Sequence, residues 1–572
     1  MKRGSLIAAA LLVVVVAALT YPGALATSMV TRLTPAPIPS SPAPAGVLPW
    51  LHIEHPDGGQ AYIADDRGRI VLFHGAVPAD LLDFGTSKDW TAPAYPIDPG
   101  AYAGGQCPAI VAHTHYPPLC QSDIEQMAAL GFNSLRLPLS WSLLEPKRGE
   151  FNQTYVDRAA QVVDWAKALG IYVIVDMHQN AYSHFVQAEP GSGVDLSSNS
   201  GAPAWATITD GLPSKLLLPN QREANPAVFE AFSNFWYNRD GIQDEYIKAI
   251  AFLAKRFKDD STVAGYSIFN EPQPGWNLPP GFEDLLLFPF YRRVIDAVTG
   301  ARDGLPCPTG IYMPSFCGYA DLGIHDLRHL FFLEPGLLRQ IFDFPTHLGL
   351  PLSSYPNLVF DIHAYTHGFT IEKLINPKSD PRTATYPWGG YDQTYSLAER
   401  EAKAMGAALF VSEFGNGTSY DTLLLTNELL EQEKHLVGFA FWTWKENGSN
   451  SWGVFDAANT DADPIASSGC IRPARERQLA RVYPRASADP NLTYHYDSDL
   501  GAFMLQAHGR AGDAPTVVSI PREVTGEVTV LGAFSDRSVT PNSDGSRLVS
   551  ATPSGGAFSI AVAAAPLSLT GC

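Results

Sequence analysis

Residues 155–178 read YVDRAAQVVDWAKALGIYVIVDMH. In the first half, Val156, Ala160, Val163, Ala166 and Leu169 recur at the spacing of one helix face. Gly170 then stops the helix. The second half is a nearly unbroken apolar run that ends in Asp176 and His178. A strand that is apolar on both faces is covered on both sides, as in parallel sheets. A helix followed by such a strand is a β/α repeat, and polar residues at the strand's end sit where such folds build their sites.

The same alternation extends in both directions. Gly131–Pro138 is a short strand upstream, and RIVLFHG (Arg69–Gly75) reads as the first of the series. Downstream, Ile242–Phe257 has helical spacing and AGYSIFNEP (Ala264–Pro272) follows as a strand. HLFFLEP (His329–Pro335), NLVFDIHAY (Asn357–Tyr365), ALFVSEFG (Ala408–Gly415) and VGFAFWTW (Val437–Trp444) bring the strands to eight. Eight buried strands separated by helices predict an α/β fold, a (β/α)8 TIM barrel. An open doubly wound sheet is the competing fold, weakened because no G-x-G-x-x-G turn follows any strand.

The pattern changes near residue 470. LTYHYD, AFMLQAHG, TVVSIP, EVTVLGAF, RLVSATP and AFSIAVAA are short strand-like stretches separated by Gly, Pro, Asp and Ser. They predict a C-terminal β-sandwich. At the other end, Lys2 and Arg3 precede an apolar run from Leu6 to Leu19, and Ala24-Leu25-Ala26 offers a cleavage site. The expected organisation is a signal peptide at 1–26, a Pro-rich linker at 27–49, the catalytic barrel at 50–470 and the sandwich at 471–572. Secretion is the expectation; the alternative is an uncleaved anchor that holds the chain at a membrane.

Composition limits the partners. The 572 residues carry a formal net charge of -19, from 39 Lys+Arg against 58 Asp+Glu. Such a surface repels phosphate backbones, which argues against nucleic acid. The six cysteines, Cys107, Cys120, Cys307, Cys317, Cys470 and Cys572, are even in number and contain no CxxC pair. With an export signal they suggest disulfides rather than zinc. Cys107/Cys120 and Cys307/Cys317 would close small loops and Cys470/Cys572 would tie down the chain end, but six cysteines allow fifteen connectivities.

The chemistry gathers at the strand ends: Arg136, Asp176, His178, Asn270, Glu271, His363, Tyr365, Glu413, Trp442 and Trp444. In a TIM barrel these ends face one pocket. Two carboxylates from different strands on one rim suit glycoside hydrolysis, one protonated to release the leaving oxygen and one ionised to attack the anomeric carbon. Arg136 would lower the nucleophile's pKa by charge pairing. Tyr365 would hydrogen-bond it, Asn270 would hold a sugar hydroxyl and Trp442 would offer a flat face to the ring. Glu334 and Glu446 are competing carboxylates and are assigned structural roles. His178 and His363 lack a third ligand of recognisable spacing, so no metal is expected. Trp444 divides evenly between core and pocket.

FNEP (Phe269–Pro272), SEFG (Ser412–Gly415) and LRLPLSW (Leu135–Trp141) resemble the acid/base, nucleophile and arginine motifs of glycoside hydrolase family 5, in clan A. DMHQNAYS (Asp176–Ser183), GAPAWATITDGLP (Gly201–Pro213), FNEPQPGW (Phe269–Trp276) and LFFLEPG (Leu330–Gly336) resemble its endoglycoceramidase subfamily more narrowly. The resemblance covers most of residues 65–560. It implies a retaining glycosidase that cuts between glycan and ceramide, with Glu271 as acid/base and Glu413 as nucleophile. Arg136, Asp176, His178, Asn270, His363, Tyr365 and Trp442 would line the glycan site, with Trp205 of GAPAWAT as a weaker candidate. Two departures bear on glycan preference. Strand one ends in HGAVPAD, where relatives have a G-x-N motif and a nearby lysine, and Asn180 follows DMHQ where relatives have Asp.

The implied substrate is a glycosphingolipid, met by a monomer in transient contact with a membrane or micelle, with no cofactor and no nucleic acid. A family relative acting on another lipid glycoside or a β-glucan is the alternative; a non-catalytic carbohydrate- or lipid-binding protein is the third, opposed by the intact glutamate pair. Phe229, Phe232, Phe235 and Trp236, with EDLLLFPF (Glu283–Phe290), read either as helix core under a long loop or as an apolar groove for two lipid chains. The pattern does not choose between these; the resemblance favours the groove.

Overall fold

A computed structural model describes residues 46–84, 95–108, 116–192, 194, 199–218, 221–277, 281–301, 321–346, 355–366, 390–417, 420–446, 452–456 and 470–571. The leader at 1–26, residues 27–45 of the linker, Cys307, Cys317 and Cys572 lie outside them. Among the described residues no helix is long and apolar enough to cross a membrane.

Three short strands come first: β1 (His52–Glu54), β2 (Tyr62–Ala64) and β3 (Ile70–Val71). Then β4 (His74–Val77), β5 (Ser134–Ser140), β6 (Tyr172–His178), β7 (Val263–Ser267), β8 (Leu330–Leu333), β9 (Leu358–His363), β10 (Ala408–Phe414) and β11 (Gly438–Trp442) close a barrel. Every pairing in it is parallel. β11 closes on β4 with Phe439 opposite His74 and Trp442 opposite Val77. The eight-stranded barrel is therefore as expected, but its first strand is not. The apolar run RIVLFHG is shared between two sheets: Ile70 and Val71 pair with the C-terminal sheet, and the barrel strand starts at His74. Both sheets need buried apolar residues there, so hydrophobicity alone could not mark the crossing.

The helix before β6 shows how local sequence sets the strand ends. It runs Gln153–Ala168; the Asn152 side chain accepts from the Tyr155 N–H at its start, and Gly170 takes a φ of 68° just past its end. A left-handed residue there costs glycine little and lets the chain reverse into β6. The helix Pro226–Trp236 begins likewise, capped by Asn225 with Pro at its first turn. Its Phe232, Phe235 and Trp236 are fully buried, packed on Phe269, Tyr246, Phe282 and Phe290. Leu286, Leu287 and Phe288 are buried too. Phe232, Phe235 and Trp236 are therefore core, since rings that fill each other's packing space have no face left for acyl chains, while Phe229 is half-buried against the exposed Trp276 and Leu285 is exposed.

Beyond the barrel, β12 (Phe455–Asp456) pairs with β13 (Cys470–Ile471). Then β14 (Tyr483–Ser487), β15 (Thr493–Asp497), β16 (Ala502–Gly509), β17 (Thr516–Ile520), β18 (Val528–Pro541) and β19 (Arg547–Val562) form an antiparallel sheet ordered β1-β2-β3-β14-β17-β19-β16-β15, with β18 along β19. The early half of β19 pairs with β17 and its late half with β16; between them Gly555 and Gly556 take φ values of 105° and 132°. Val518 and Val549 from one half share an apolar cluster with Phe503 and Ile560 from the other, so the sheet folds over itself as a sandwich. The division of the chain needs one amendment: residues 52–71, assigned to the barrel by sequence, belong to this sheet.

The sheet docks on the end of the barrel where strands begin. Tyr483 Oη donates to the Gly131 carbonyl at 3.0 Å, its ring stacks on His74 at 3.6 Å, and Arg485 reaches the Gly170 carbonyl. Gly131 and Gly170 precede β5 and β6, so the opposite mouth is left uncovered by the sandwich. Cys107 and Cys120 are joined by a disulfide, as the spacing allowed.

Candidate active site

Glu271 follows β7 and Glu413 lies on β10, and both project at the mouth. One carboxylate oxygen of each, with a ring nitrogen of His363, lie within 4.8 Å of one another. The two glutamates differ in their surroundings. Glu413 Oε2 accepts from Arg136 Nη1 at 2.8 Å and its Oε1 from Tyr365 Oη at 2.7 Å. Both of its oxygens are thereby held in place by donors. Glu271 contacts the ring of His363, Nδ1 to Oε1, at 3.0 Å. Burial raises its pKa above the usual carboxylate range; the His363 ring opposes this, while the negative charges of Glu413 and Glu334 add to it. The side chains are 18% and 8% exposed for Glu271 and Glu413, so water does not dilute these effects, yet both can reach a ligand in the mouth.

Arg136, on β5, is the hub. It is fully buried and also donates through Nη2 to Asn270 Oδ1 at 2.8 Å and Glu334 Oε1 at 2.7 Å, with Asp176 Oδ1 at 3.1 Å. Asp176 in turn holds His178 Nδ1 at 2.8 Å, and the His178 ring lies parallel to Trp442 at 5.5 Å. Asn270 donates to the Gln179 carbonyl at 2.9 Å. His363 is buried between Glu271 and Glu334, with Nε2 3.3 Å from Glu334. Burial works against a charged imidazole here, but Glu334 and Glu413 outweigh it and its pKa is held well above the ordinary value.

Glu334 is the residue sequence reading undervalued. It closes the loop after β8 and accepts from Arg136, from Gln340 Nε2 at 2.8 Å and from the backbone N–H of Glu271 at 2.8 Å. Glu271 itself has a φ of 43°, a left-handed conformation that costs a side-chain-bearing residue on the order of 1–2 kcal/mol. Burial resists the Glu334 charge, but His363 and Arg136 lower its pKa to about 2. The signal available was its place at a strand end, which it shares with the other site residues.

Eight of the ten expected site residues are brought together directly, through contacts among Arg136, Asp176, His178, Asn270, Glu271, His363, Tyr365 and Glu413. Trp442 joins them through His178. Trp205 does not: its ring stands edge-on to Trp141 at 5.2 Å and its Nε1–H donates to the Glu145 carbonyl at 3.1 Å. GAPAWAT is thus anchored on the helix after β5, and Trp205 stands apart from the cluster. Trp444 is core, fully buried with Nε1–H donating to Asp123 at 3.0 Å. Of the two departures, HGAVPAD leads to Asp83, which is buried and accepts from Ser140 and Ser142 hydroxyls and from the Gly201 N–H. Asn180 places its amide 3.4 Å from His178 Nε2.

Glu271, His363 and Glu413 are close enough together to ligate a cation. The Arg136 guanidinium on Glu413 already supplies positive charge there. Asp392, Glu431 and His435 form a similar surface group, with Lys434 between its carboxylates.

Residues 101–299 match the model of the cellulase family, glycosyl hydrolase family 5. Endoglycoceramidase I of Rhodococcus hoagii (strain 103S) is 24% identical over 465 residues, spanning 80% of this chain and 78% of its own length. Among solved structures, an endogalactoceramidase matches with a TM-score of 0.66 at 26% identity, covering 90% of this chain and 100% of the other. Endo-glycoceramidase II from Rhodococcus sp., in complex with ganglioside GM3, matches with a TM-score of 0.64 at 24% identity over 89% and 100%, a likeness of fold.

Proposed function

We propose that this chain, whose residues 101–299 match the model of glycosyl hydrolase family 5, is a retaining endoglycosidase that releases intact glycan from ceramide. The observation that carries the mechanism is the approach of Glu271 and Glu413 to within 4.8 Å. Retaining enzymes hold their carboxyl groups ~5–5.5 Å apart, while inverting ones need ~6.5–9.5 Å to admit water. One oxygen of each group within 4.8 Å of the other fits the closer, retaining spacing.

The geometry assigns the steps. Glu413, held by Arg136 and Tyr365, attacks the anomeric carbon. Glu271, whose pKa burial raises, gives its proton to the departing ceramide oxygen as the glycosidic bond breaks. The glycan is then an ester of Glu413. Glu271, now ionised, takes a proton from water, which attacks the same carbon and frees Glu413. Both attacks come from opposite faces in turn, so the β configuration returns.

The choice of ceramide glycosides over glucans rests on the likeness to endoglycoceramidase I and to the endogalactoceramidase. Action as a monomer at a membrane or micelle surface belongs to the same proposal, as does export: the leader-like N-terminus precedes a chain whose Cys107 and Cys120 are bonded. The test is to incubate the protein with glucosylceramide, lactosylceramide, a ganglioside and a soluble β-glucan and to identify the products. Intact oligosaccharide plus ceramide, released first as the β anomer, is the expected result. Turnover of the glucan alone, or Glu271→Gln and Glu413→Gln variants with near-normal activity, would refute it.

A further inference from the structure

We infer that Glu334 is a positioning residue of the acid half of the reaction: its carboxylate holds Glu271 in the aim needed to protonate the leaving oxygen. This rests on the double-displacement reading above.

Glu271 is a side-chain-bearing residue in the left-handed region, and such a conformation persists only where its surroundings impose it. Glu334 Oε2 accepts the Glu271 N–H at 2.8 Å, a bond to a charged acceptor. On the side-chain end, His363 Nδ1 meets Glu271 Oε1 at 3.0 Å, and the same ring faces Glu334 with Nε2 at 3.3 Å. Glu334 therefore grips the acid twice, directly at its main chain and through His363 at its carboxyl group.

Glu334 is itself fixed. Oε1 accepts from Arg136 at 2.7 Å and Oε2 from Gln340 at 2.8 Å. Gln340 Oε1 accepts the His363 N–H at 2.7 Å, so a single residue orients both partners of the grip. The side chain of Glu334 has no exposed surface and touches no part of the mouth, which separates it from Glu271 and Glu413 as a group acting through others. The ionisable groups that face it are Arg136 on β5, Glu271 after β7, Asp361 and His363 on β9, and the phenols of Tyr246 and Tyr291. Arg136 also pairs with Glu413, but Glu334 makes no hydrogen bond to the nucleophile, whose two oxygens are taken by Arg136 and Tyr365. The effect of losing Glu334 should fall on proton donation.

Leaving-group dependence reads this directly, because a 2,4-dinitrophenyl glycoside departs without a proton while an alkyl glycoside does not. Positioned general acids contribute about 10²–10⁴-fold. For Glu334→Gln we expect kcat/KM to fall on the order of 10²-fold on a glycolipid or alkyl glycoside and less than about tenfold on the dinitrophenyl glycoside. Gln340→Met, a milder change, should show the same bias at smaller size and stands in if Glu334→Gln does not fold. Equal losses on both substrates, or no loss, in the folded variant would overturn the inference. Failure of the double-displacement reading shows differently: wild-type protein would then form no trapped adduct with a 2-fluoro glycoside.

Discussion

Arg136 Nη1 donates to Glu413 Oε2 at 2.8 Å from a side chain with no exposed surface. The same guanidinium serves Glu334 and Asn270, so one cation orients both the nucleophile and the acid's support. Arg136→Lys keeps the charge but loses the planar fork. We expect kcat to fall at least tenfold and the melting temperature to drop, because buried carboxylates left without partners cost several kcal/mol. Wild-type kcat in this variant would remove Arg136 from the mechanism.

Tyr365 reaches Glu413 Oε1 at 2.7 Å. A hydrogen bond to a charged group is worth about 1.5–3 kcal/mol. Tyr365→Phe should therefore reduce kcat/KM by roughly 10–100-fold while leaving thermal stability nearly unchanged. A change confined to KM would mean that the hydroxyl binds substrate and does not tune the nucleophile.

The acid limb has a definite sign. Burial, with the charges of Glu413 and Glu334, raises the Glu271 pKa. Proton donation needs the neutral form, so kcat/KM should fall as pH rises through that raised value. In Glu271→Gln, assayed on a dinitrophenyl glycoside, this alkaline limb should vanish. Its persistence in that variant would assign it to another group.

Glu334 makes a stability prediction with the opposite direction. Its folded pKa is lowered from 4.5 to about 2 by His363 and Arg136 against the effect of burial. A depressed carboxylate contributes stability above its unfolded value and loses it as pH falls through the folded one. Denaturant midpoints should decline between about pH 4.5 and 2, and Glu334→Gln should flatten the decline. An identical acid profile in the two proteins would contradict the assignment.

Trp236 separates core from groove. It is fully buried among Phe235, Phe269, Phe282 and Phe290. Trp236→Ala should cost about 3–5 kcal/mol of stability, measured by denaturant unfolding, with kcat on a soluble glycoside preserved below the melting range. A raised KM for glycolipid without loss of stability would restore the lipid-groove reading.

The barrel strands were legible because parallel strands buried on both faces are almost continuously apolar, as in IYVIVDMH. Glu271 and Glu413 were legible because each ends such a strand inside a motif. The start of β4 was not, since Ile70 through Val77 is apolar across a change of sheet. Nor was the fate of Phe232, Phe235 and Trp236, because an inward ring and a ring lining a groove have the same letter. The packing of Trp205 on Trp141 was hidden for a related reason: a place in a motif does not say which way a loop turns its ring. Glu334 was visible only as one more acid at a strand end, because its role depends on the main chain of a residue in another loop.

Val71 pairs with Ala486, and Tyr483 beside it stacks on His74 at the start of the barrel. The first turns of the chain thus wait for nearly the last. A ribosome releasing this protein from its leading end cannot deliver a finished barrel early, since the strand that seals it leans on segments still unsynthesised. Long-separated pairings of this kind slow folding. The same stitching means that ending the chain ahead of Tyr483 should destabilise the barrel along with the sheet.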